Sequence, residues 1–153
     1  MLKLSRLTDY AVVALFRLWQ DAPQQKTATQ LALDTGLPEP TLVKILKTLA
    51  RAGLVSSRRG STGGYYLEKE KGRIVSVKQI IEAMEGPIAL TTCIETPVKT
   101  ACAISACCPV QGRWTVVNTA ICDVLDRVML ADMHPVQVVP PAAEEAEKAV
   151  AHG

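Results

Sequence analysis

The stretch LVKILKTLARAGLVSSRRGSTGGYYL, residues 42–67, predicts a helix that leads directly into a β-hairpin. Its first half places apolar side chains at positions i, i+3, i+4 and i+7, which are Leu42, Ile45, Leu46 and Leu49. That spacing makes one apolar helix face, and Gly53 follows as a residue suited to ending the helix. Two extended arms then flank a glycine-rich tip, and this pattern is typical of a hairpin.

Helical patterns lie on both sides of this stretch. Residues 8–20 and 27–36 precede it, 76–86 follow it, and the helix within it is predicted at 39–52. The helices at 27–36 and 76–86 each begin with a Ser or Thr that has Gln three residues on, and each ends in glycine. Helix, short helix, tight turn, helix and basic hairpin, in that order, predict a mainly α fold of the winged helix-turn-helix class.

The exposed early positions of the 39–52 helix are the predicted DNA-facing residues, because a major groove admits one α-helix. They are Glu39, Thr41, Val43 and Lys44. A carboxylate accepts from a cytosine amino group, Thr contacts a thymine methyl or a phosphate, and Lys reaches phosphate or guanine. In the hairpin, or wing, Arg58, Arg59 and Ser61 are predicted to hold the DNA backbone or to enter the minor groove. The alternatives are a core helix with a solvated basic face and a plain hairpin.

Charge is distributed unevenly along the 153 residues, although the net charge is only +2. Residues 1–78 carry 13 Lys/Arg and 6 Asp/Glu, which gives +7, and residues 79–153 carry 4 and 9, which gives −5. A basic N-terminal half favours a polyanionic partner, of which nucleic acid is the commonest. A solvated surface with randomly scattered charge is the alternative.

Four of the five cysteines fall within residues 93–108, with the spacing C-x8-C-x4-C-C. This spacing contains no C-x2-C pair and so matches a zinc ribbon poorly, whereas thiolates on an irregular loop suit an iron–sulfur cluster. Cys107 and Cys108 are adjacent and project in different directions, so only one of them is expected to be a ligand. Cys122 lies in a helical segment and is expected to pack as a small apolar residue. Buried, incidental cysteines are the alternative for the whole segment.

The C-terminal part predicts a long helix at about 112–132 with a narrow apolar seam, the pattern of helices that pair with a partner helix. The seam residues are Trp114, Val117, Ile121, Val124 and Val128. The predicted organisation is a winged helix-turn-helix domain at 1–86, a cysteine loop at 87–111, a dimerisation helix at 112–133 and a disordered tail at 134–153.

Composition narrows the class of protein. The chain is 48% hydrophobic, enough for a core, and no apolar run reaches the ~18 residues of a membrane span. The N-terminus is interpreted as a mature helix without a signal peptide, so a cytoplasmic protein with reduced thiols is expected. An enzyme is disfavoured because His134 and His152 are the only histidines and GSTGGYY lacks the lysine and spacing of a phosphate-binding loop.

The motifs LTDYAVVAL, LVKILKTLARAGLVSSRRGSTGGYYL and VSVKQIIEAMEG, with the cysteine segment, resemble the bacterial winged-helix regulators of the Rrf2 superfamily, typified by IscR, NsrR and RirA. The resemblance covers about residues 1–133. It implies a homodimeric repressor or activator that binds a double-stranded DNA operator, with its long C-terminal helices crossing at the interface. CPVQGRW and LADM look closest to the subgroup that regulates the SUF genes for iron–sulfur cluster assembly.

The resemblance also implies a set of cluster ligands. The family's three cysteines map onto Cys93, Cys102 and Cys108, while Gln111, a poor iron ligand, stands where IscR has a histidine. Nitric-oxide sensors of the family take an aspartate from the first helix of the partner subunit, and Asp9 matches that position. Asp9 of one chain would then complete the cluster of the other; its alternative role is as a helix N-cap. IscR suggests [2Fe-2S], slightly favoured over the [4Fe-4S] that the Asp9 match suggests.

The resemblance therefore implies a regulator that senses cluster or redox status and controls SUF genes. A regulator without a cluster is the alternative, either with thiols that form reversible disulfides, Cys107 and Cys108 being candidate partners, or with bound zinc.

Overall fold

The computed structural model describes residues 3–61, 63–95, 104 and 107–134. Six α-helices and one two-stranded sheet make up most of these ranges, joined by two short 3-10 helices at Lys71–Arg73 and Leu130–Asp132. None of the helices there is long and apolar enough to cross a membrane. The helices are α1 (Arg6–Gln20), α2 (Ala28–Thr35), α3 (Glu39–Arg51), α4 (Val77–Glu85), α5 (Thr92–Glu95) and α6 (Trp114–Arg127), and the strands are β1 (Ser56–Arg58) and β2 (Gly64–Tyr66).

Local sequence signals set most helix ends. Thr27 and Gln30 form a reciprocal capping box at the start of α2, and Gly36 ends that helix in a left-handed conformation at φ 73°. Ser76 and Gln79 form the same box at the start of α4. Both predicted boxes are confirmed.

The start of α1 differs from the sequence-based prediction. Ser5, and not Asp9, is the N-cap, because its side chain accepts a hydrogen bond from the backbone N–H of Thr8. The prediction placed the cap beside the first apolar cluster, but the helix begins at Arg6, two residues before the predicted start at residue 8. The alternative role of Asp9 as an N-cap is therefore wrong.

Helices α1, α3 and α4 enclose the core, and α2 covers one side of it. The apolar face predicted for α3 is fully buried, with exposures of 0–1% for Leu42, Ile45, Leu46 and Leu49. Strands β1 and β2 pair antiparallel with Ser57 opposite Tyr65. Lys26 and Tyr65 also exchange two backbone hydrogen bonds of 2.8 Å, which fix the wing against the start of α2.

Helix α6 ends at Arg127, five residues before the predicted 132. Val128 is extended, and its carbonyl accepts from the N–H of Val77 at 2.8 Å, while the N–H of Leu130 donates to the carbonyl of Val75 at 2.8 Å. This pairing satisfies backbone groups at the entry to α4 and buries Leu130 completely. Of the predicted tail, only His134 is described; its ring lies edge-on to Phe16, with centroids 5.5 Å apart.

Gly72 lies where the first 3-10 helix meets the indole of Trp19. A Cβ atom on Gly72 would lie 2.1 Å from Cδ1 of Trp19 and 2.5 Å from Cγ, far inside van der Waals contact. The indole is 9% exposed and its Nε1–H donates to the carbonyl of Lys69 at 2.9 Å, so the ring cannot move away freely. Only glycine fits this close approach.

Gly72→Ala is therefore expected to lower the free energy of unfolding by about 1–3 kcal/mol, the usual cost of overpacking a core. Urea unfolding midpoints at an unchanged slope would measure the loss. The control is Trp19→Leu, which removes the ring: adding Gly72→Ala to that variant should cost clearly less than in the wild type. Equal costs in the two backgrounds would show that the Trp19 contact is not the cause.

Candidate nucleic-acid interface and cysteine segment

The first turns of α3 carry the predicted recognition residues, of which Lys44 lies opposite the buried leucine face and the other three flank it. Glu39 and Lys44 are exposed, and Thr41 and Val43 are half-buried. The carboxylate of Glu39 accepts a 2.8 Å hydrogen bond from the hydroxyl of Thr29 on α2. This contact orients one carboxylate oxygen and leaves the side chain at the exposed start of α3.

The two arginines of the wing differ in their surroundings, since Arg58 contacts an aromatic ring and Arg59 lies at the exposed tip. The guanidinium of Arg58 lies 5.3 Å from the ring centroid of Tyr66, within range of a cation–π contact. Arg59 and Ser61 are exposed at the tip. A Cβ on Gly63 would lie 2.5 Å from the Arg58 carbonyl, so the tip needs glycine to turn this tightly. The structure thus places all three predicted wing residues on one exposed hairpin.

A groove of 530 Å³ runs between the wing, the C-terminal half of α3 and the start of α2. Among the described residues, four cations line it and no acidic side chain does: Lys47, Arg51, Arg58 and Arg59. The backbone at Thr27 and Ala28 adds the positive end of the α2 dipole. The described lining of the groove is therefore positively charged and suited to phosphate groups.

The candidate contacts predicted from the sequence did not include Lys47 and Arg51. Their signal was nevertheless present, because positions 44, 47 and 51 recur at i, i+3 and i+7 and form a basic stripe on α3. The wing's approach to this stripe is a tertiary feature that helical spacing alone does not reveal.

A second charged cluster joins the end of α1 to α2. Lys26 Nζ lies 2.7 Å from Asp21 and also contacts Asp34, and Arg17 Nε lies 3.0 Å from Asp21. The Lys26 ammonium donates to Asp34 and lowers the pKa of that carboxyl, while hydrogen bonds to Asp21 and Asp34 raise the pKa of Lys26. These mutually paired charges fix the entry to α2, which lines the basic groove.

The cysteine segment is partly described. Cys93 lies exposed in α5, with its sulfur 3.1 Å from the hydroxyl of Thr91; Cys107 is exposed and Cys108 half-buried. Cys122 is half-buried on α6, as expected for a packed residue. These four thiols are free, whereas Cys102 lies outside the described residues. Within the described ranges no three His, Cys, Asp or Glu side chains converge as a metal site, so the predicted three-cysteine set stays a prediction.

Asp9 is exposed in the first turn of α1. Its neighbour Thr8 is fully buried and donates a 2.5 Å hydrogen bond to Glu85, which also accepts from the N–H of Ser5 at 2.8 Å. The bond from Thr8, followed by that from Ser5, lowers the pKa of Glu85. These contacts tie the start of α1 to the end of α4 and leave the Asp9 carboxylate on the surface.

Helix α6 carries apolar side chains that nothing in the described chain covers. Val124 is 61% exposed, Val116 71%, Val117 43% and Trp114 44%. Of the predicted seam, Ile121 and Val128 are instead half-buried within the chain. A cluster of large exposed apolar residues on one helix is typical of a protein–protein interface.

Comparison with known proteins places the chain among transcriptional regulators. A family profile described as "Rrf2: Iron-dependent Transcriptional regulator" matches residues 4–135. An rrf2-like HTH-type transcriptional regulator of Rhodobacter capsulatus is 33% identical over 131 residues, covering 81% of this chain and 87% of that protein. The structure of CymR, the global cysteine regulator of B. subtilis, has a TM-score of 0.65 at 27% identity and covers 87% of this chain and 96% of its own. The structure of T. potens IscR has a TM-score of 0.60 at 31% identity and covers 97% of this chain and 90% of its own.

Proposed function

The chain belongs to the Rrf2 family of winged-helix transcriptional regulators, and we propose that it is a homodimeric member that senses iron–sulfur cluster or redox status through its cysteine segment. The predicted mainly α fold with a small hairpin is confirmed by the likeness to the IscR and CymR structures. The matched family and relatives are regulators and not enzymes, which agrees with the prediction from the sequence.

The basic groove beside α3 carries the DNA-binding part of the proposal. In this proposal, α3 would lie in the major groove of the DNA with Glu39 and Lys44 toward base edges, and Arg59 would reach the minor groove of the DNA. Lys47 and Arg51 would neutralise phosphates on the flank of the same site. Since phosphate contacts fix register and base contacts specify sequence, the two sets have separable effects.

A second copy of the chain is the proposed occupant of the apolar face of α6. Two winged helices joined through this helix would read two operator half-sites at a fixed spacing. The position of α6 on each subunit would then set the distance between the two α3 helices.

The donor set of the cysteine segment fits an iron–sulfur cluster, because the segment supplies several thiols and thiolate is the usual ligand of such clusters. Cys93, Cys102 and Cys108 would hold it, with Asp9 from the partner subunit as the fourth ligand. When bound, a cluster supplies a thiolate-ligated group that responds to iron supply and oxidants. The cysteines would bind it at the C-terminal side of the winged-helix domain, within reach of α6.

The motifs CPVQGRW and LADM support SUF assembly genes as the regulated targets, and the DNA partner implies action in the cytoplasm. When iron–sulfur clusters are scarce, the regulator would change its occupancy of the operator that controls the cluster-assembly genes.

The likeness to CymR favours a second candidate. CymR is described as a global cysteine regulator, and exposed Cys93 and Cys107 are accessible to oxidants. A thiol-based or zinc-containing regulator without a cluster would use the same DNA interface.

Anaerobic purification, with an absorption spectrum and iron and sulfide counted per chain, tests the cluster. A coloured protein with equal iron and sulfide supports it, and the band shape separates [2Fe-2S] from [4Fe-4S]. A colourless protein that cannot be reconstituted with iron and sulfide overturns it, and then bound zinc or a peroxide-reversible thiol titration supports the second candidate.

Lys47→Ala is expected to weaken binding to operator and to non-operator DNA to a similar degree. It should reduce the slope of log affinity against log salt by about 2, because the proposed homodimer loses one phosphate contact in each subunit. Binding titrations at several salt concentrations measure both quantities. Lys69→Ala is the control, because Lys69 is exposed but does not line the groove, and it should leave the slope unchanged. A Lys47→Ala slope equal to that of the wild type would remove this residue from the interface.

A further inference from the structure

Asn118 of α6 binds the backbone that leads into the cysteine segment. Its Nδ2 donates to the carbonyl of Ile88 at 3.0 Å, and its Oδ1 accepts from the N–H of Leu90 at 3.0 Å. The same carboxamide also donates to the sulfur of Cys122 at 3.7 Å. One half-buried side chain thus satisfies two backbone groups of a segment that forms no sheet of its own.

The bound backbone lies between α4 and the first cysteine. Gly86 caps α4, and Cys93 follows only three residues after Leu90, a span of at most about 11 Å even when extended. Ile88 and Leu90 line an apolar pocket of 350 Å³ together with Ile121 of α6. The position of Cys93 is therefore confined by how residues 88–90 sit on α6.

A second polar side chain of α6 makes the matching contact at the other end of α4. The hydroxyl of Ser76, the N-cap of α4, donates to Asp126 at 2.9 Å. Two side chains of α6 that are eight residues apart thus hold this helix: Asp126 at the start of α4 and Asn118 just beyond its end. Only the Asn118 contact touches the backbone that continues into α5 and Cys93.

We propose that Asn118 is the positioning residue that fixes the N-terminal arm of the cysteine segment on α6, so that a change at Cys93 is transmitted to the helix that carries the exposed apolar face. The coupling to a cluster rests on the proposed function, whereas the positioning of α5 does not. Without Asn118, residues 88–95 would lose the side-chain hydrogen bonds that join them to α6 in the described part of the chain, and Cys93 would sample a wider range of positions.

The test is hydrogen–deuterium exchange of the cluster-free full chain, read on the peptide that contains α5, for Asn118→Ala and for Asp126→Ala as the matched control. Asn118→Ala should speed exchange across residues 88–95 about five- to thirty-fold, most directly at the Leu90 amide that loses its acceptor; this is the factor that one or two lost hydrogen bonds correspond to. Asp126→Ala should leave α5 unchanged although it also removes an anchor of α6. Asn118→Asp, which keeps the acceptor for Leu90, should restore part of the protection.

Equal effects of the two Ala variants on α5, or no effect of Asn118→Ala, would overturn the proposal. In reconstituted protein, Asn118→Ala should also release iron to a chelator faster than Asp126→Ala does, and equal release would count against the coupling. A wild-type chain that takes up no iron would overturn the cluster proposal while leaving the exchange result to decide the role of Asn118.

Discussion

Cys108→Ser is expected to abolish cluster binding, whereas Cys107→Ser should leave the iron content per chain unchanged. The two side chains are adjacent, and successive side chains project in different directions, so one cluster cannot be ligated equally well by both. Cys108 is half-buried, while Cys107 is exposed with its sulfur 3.7 Å from the carbonyl of Ile104. Serine preserves the size of the side chain but replaces a soft thiolate ligand with a hydroxyl. Iron, sulfide and the absorption spectrum of anaerobically purified protein would measure the difference.

The adjacent variant is also the control for folding, because both substitutions fall on the same turn next to α6. Loss of iron in Cys107→Ser with retention in Cys108→Ser would reverse the ligand assignment. Retention in both variants would show that neither thiol is required. Asp9→Ala belongs in the same series: a changed spectrum is expected if Asp9 of the partner subunit is a ligand, and an unchanged one removes it from the site.

The sequence was most informative where a structural signal is local. The capping boxes at Thr27 and Ser76 and the apolar face of α3 depend on residues within two helical turns of each other, and all were predicted correctly. The end of α6 was not, because it is decided by pairing of Val128 with Val77, fifty-one residues away in the chain. The seam pattern continued past Arg127 on the helix period, but the backbone there forms extended hydrogen bonds instead.

The candidate site divides in the same way. Helical and hairpin patterns identified Glu39, Lys44 and the wing residues as exposed, but Thr41 and Val43 are half-buried. The groove that adds Lys47 and Arg51 exists only because the wing folds against α3. No spacing rule marks Asn118, since its partners at Ile88 and Leu90 are brought to it by packing of α6 on α4. The set of Cys93, Cys102 and Cys108 remains a prediction from the resemblance.

The exposed face of α6 leads to the second large effect, because a regulator that reads two half-sites loses affinity when its subunits separate. Val124 is 61% exposed in the single chain, so a charged side chain there can stay in water and should leave the fold of each subunit intact. In a dimer joined through α6, the same charge would be buried against an apolar partner surface at high cost. A substitution at this position therefore tests the association of the subunits without disturbing the folding of each one.

Val124→Glu is expected to convert the protein from a dimer to a monomer, as measured by its molar mass in light scattering. It should also weaken binding to an operator with two half-sites about 10²–10⁴-fold, the usual gain from linking two binding modules. Binding to a single half-site should hardly change. Ile74→Glu is the matched control, because Ile74 is 71% exposed but lies outside α6, and it should remain a dimer with wild-type affinity. A dimeric Val124→Glu with normal operator binding would show that this face of α6 is not the interface. The proposed link from Cys93 through Asn118 would then have no means of changing the half-site spacing.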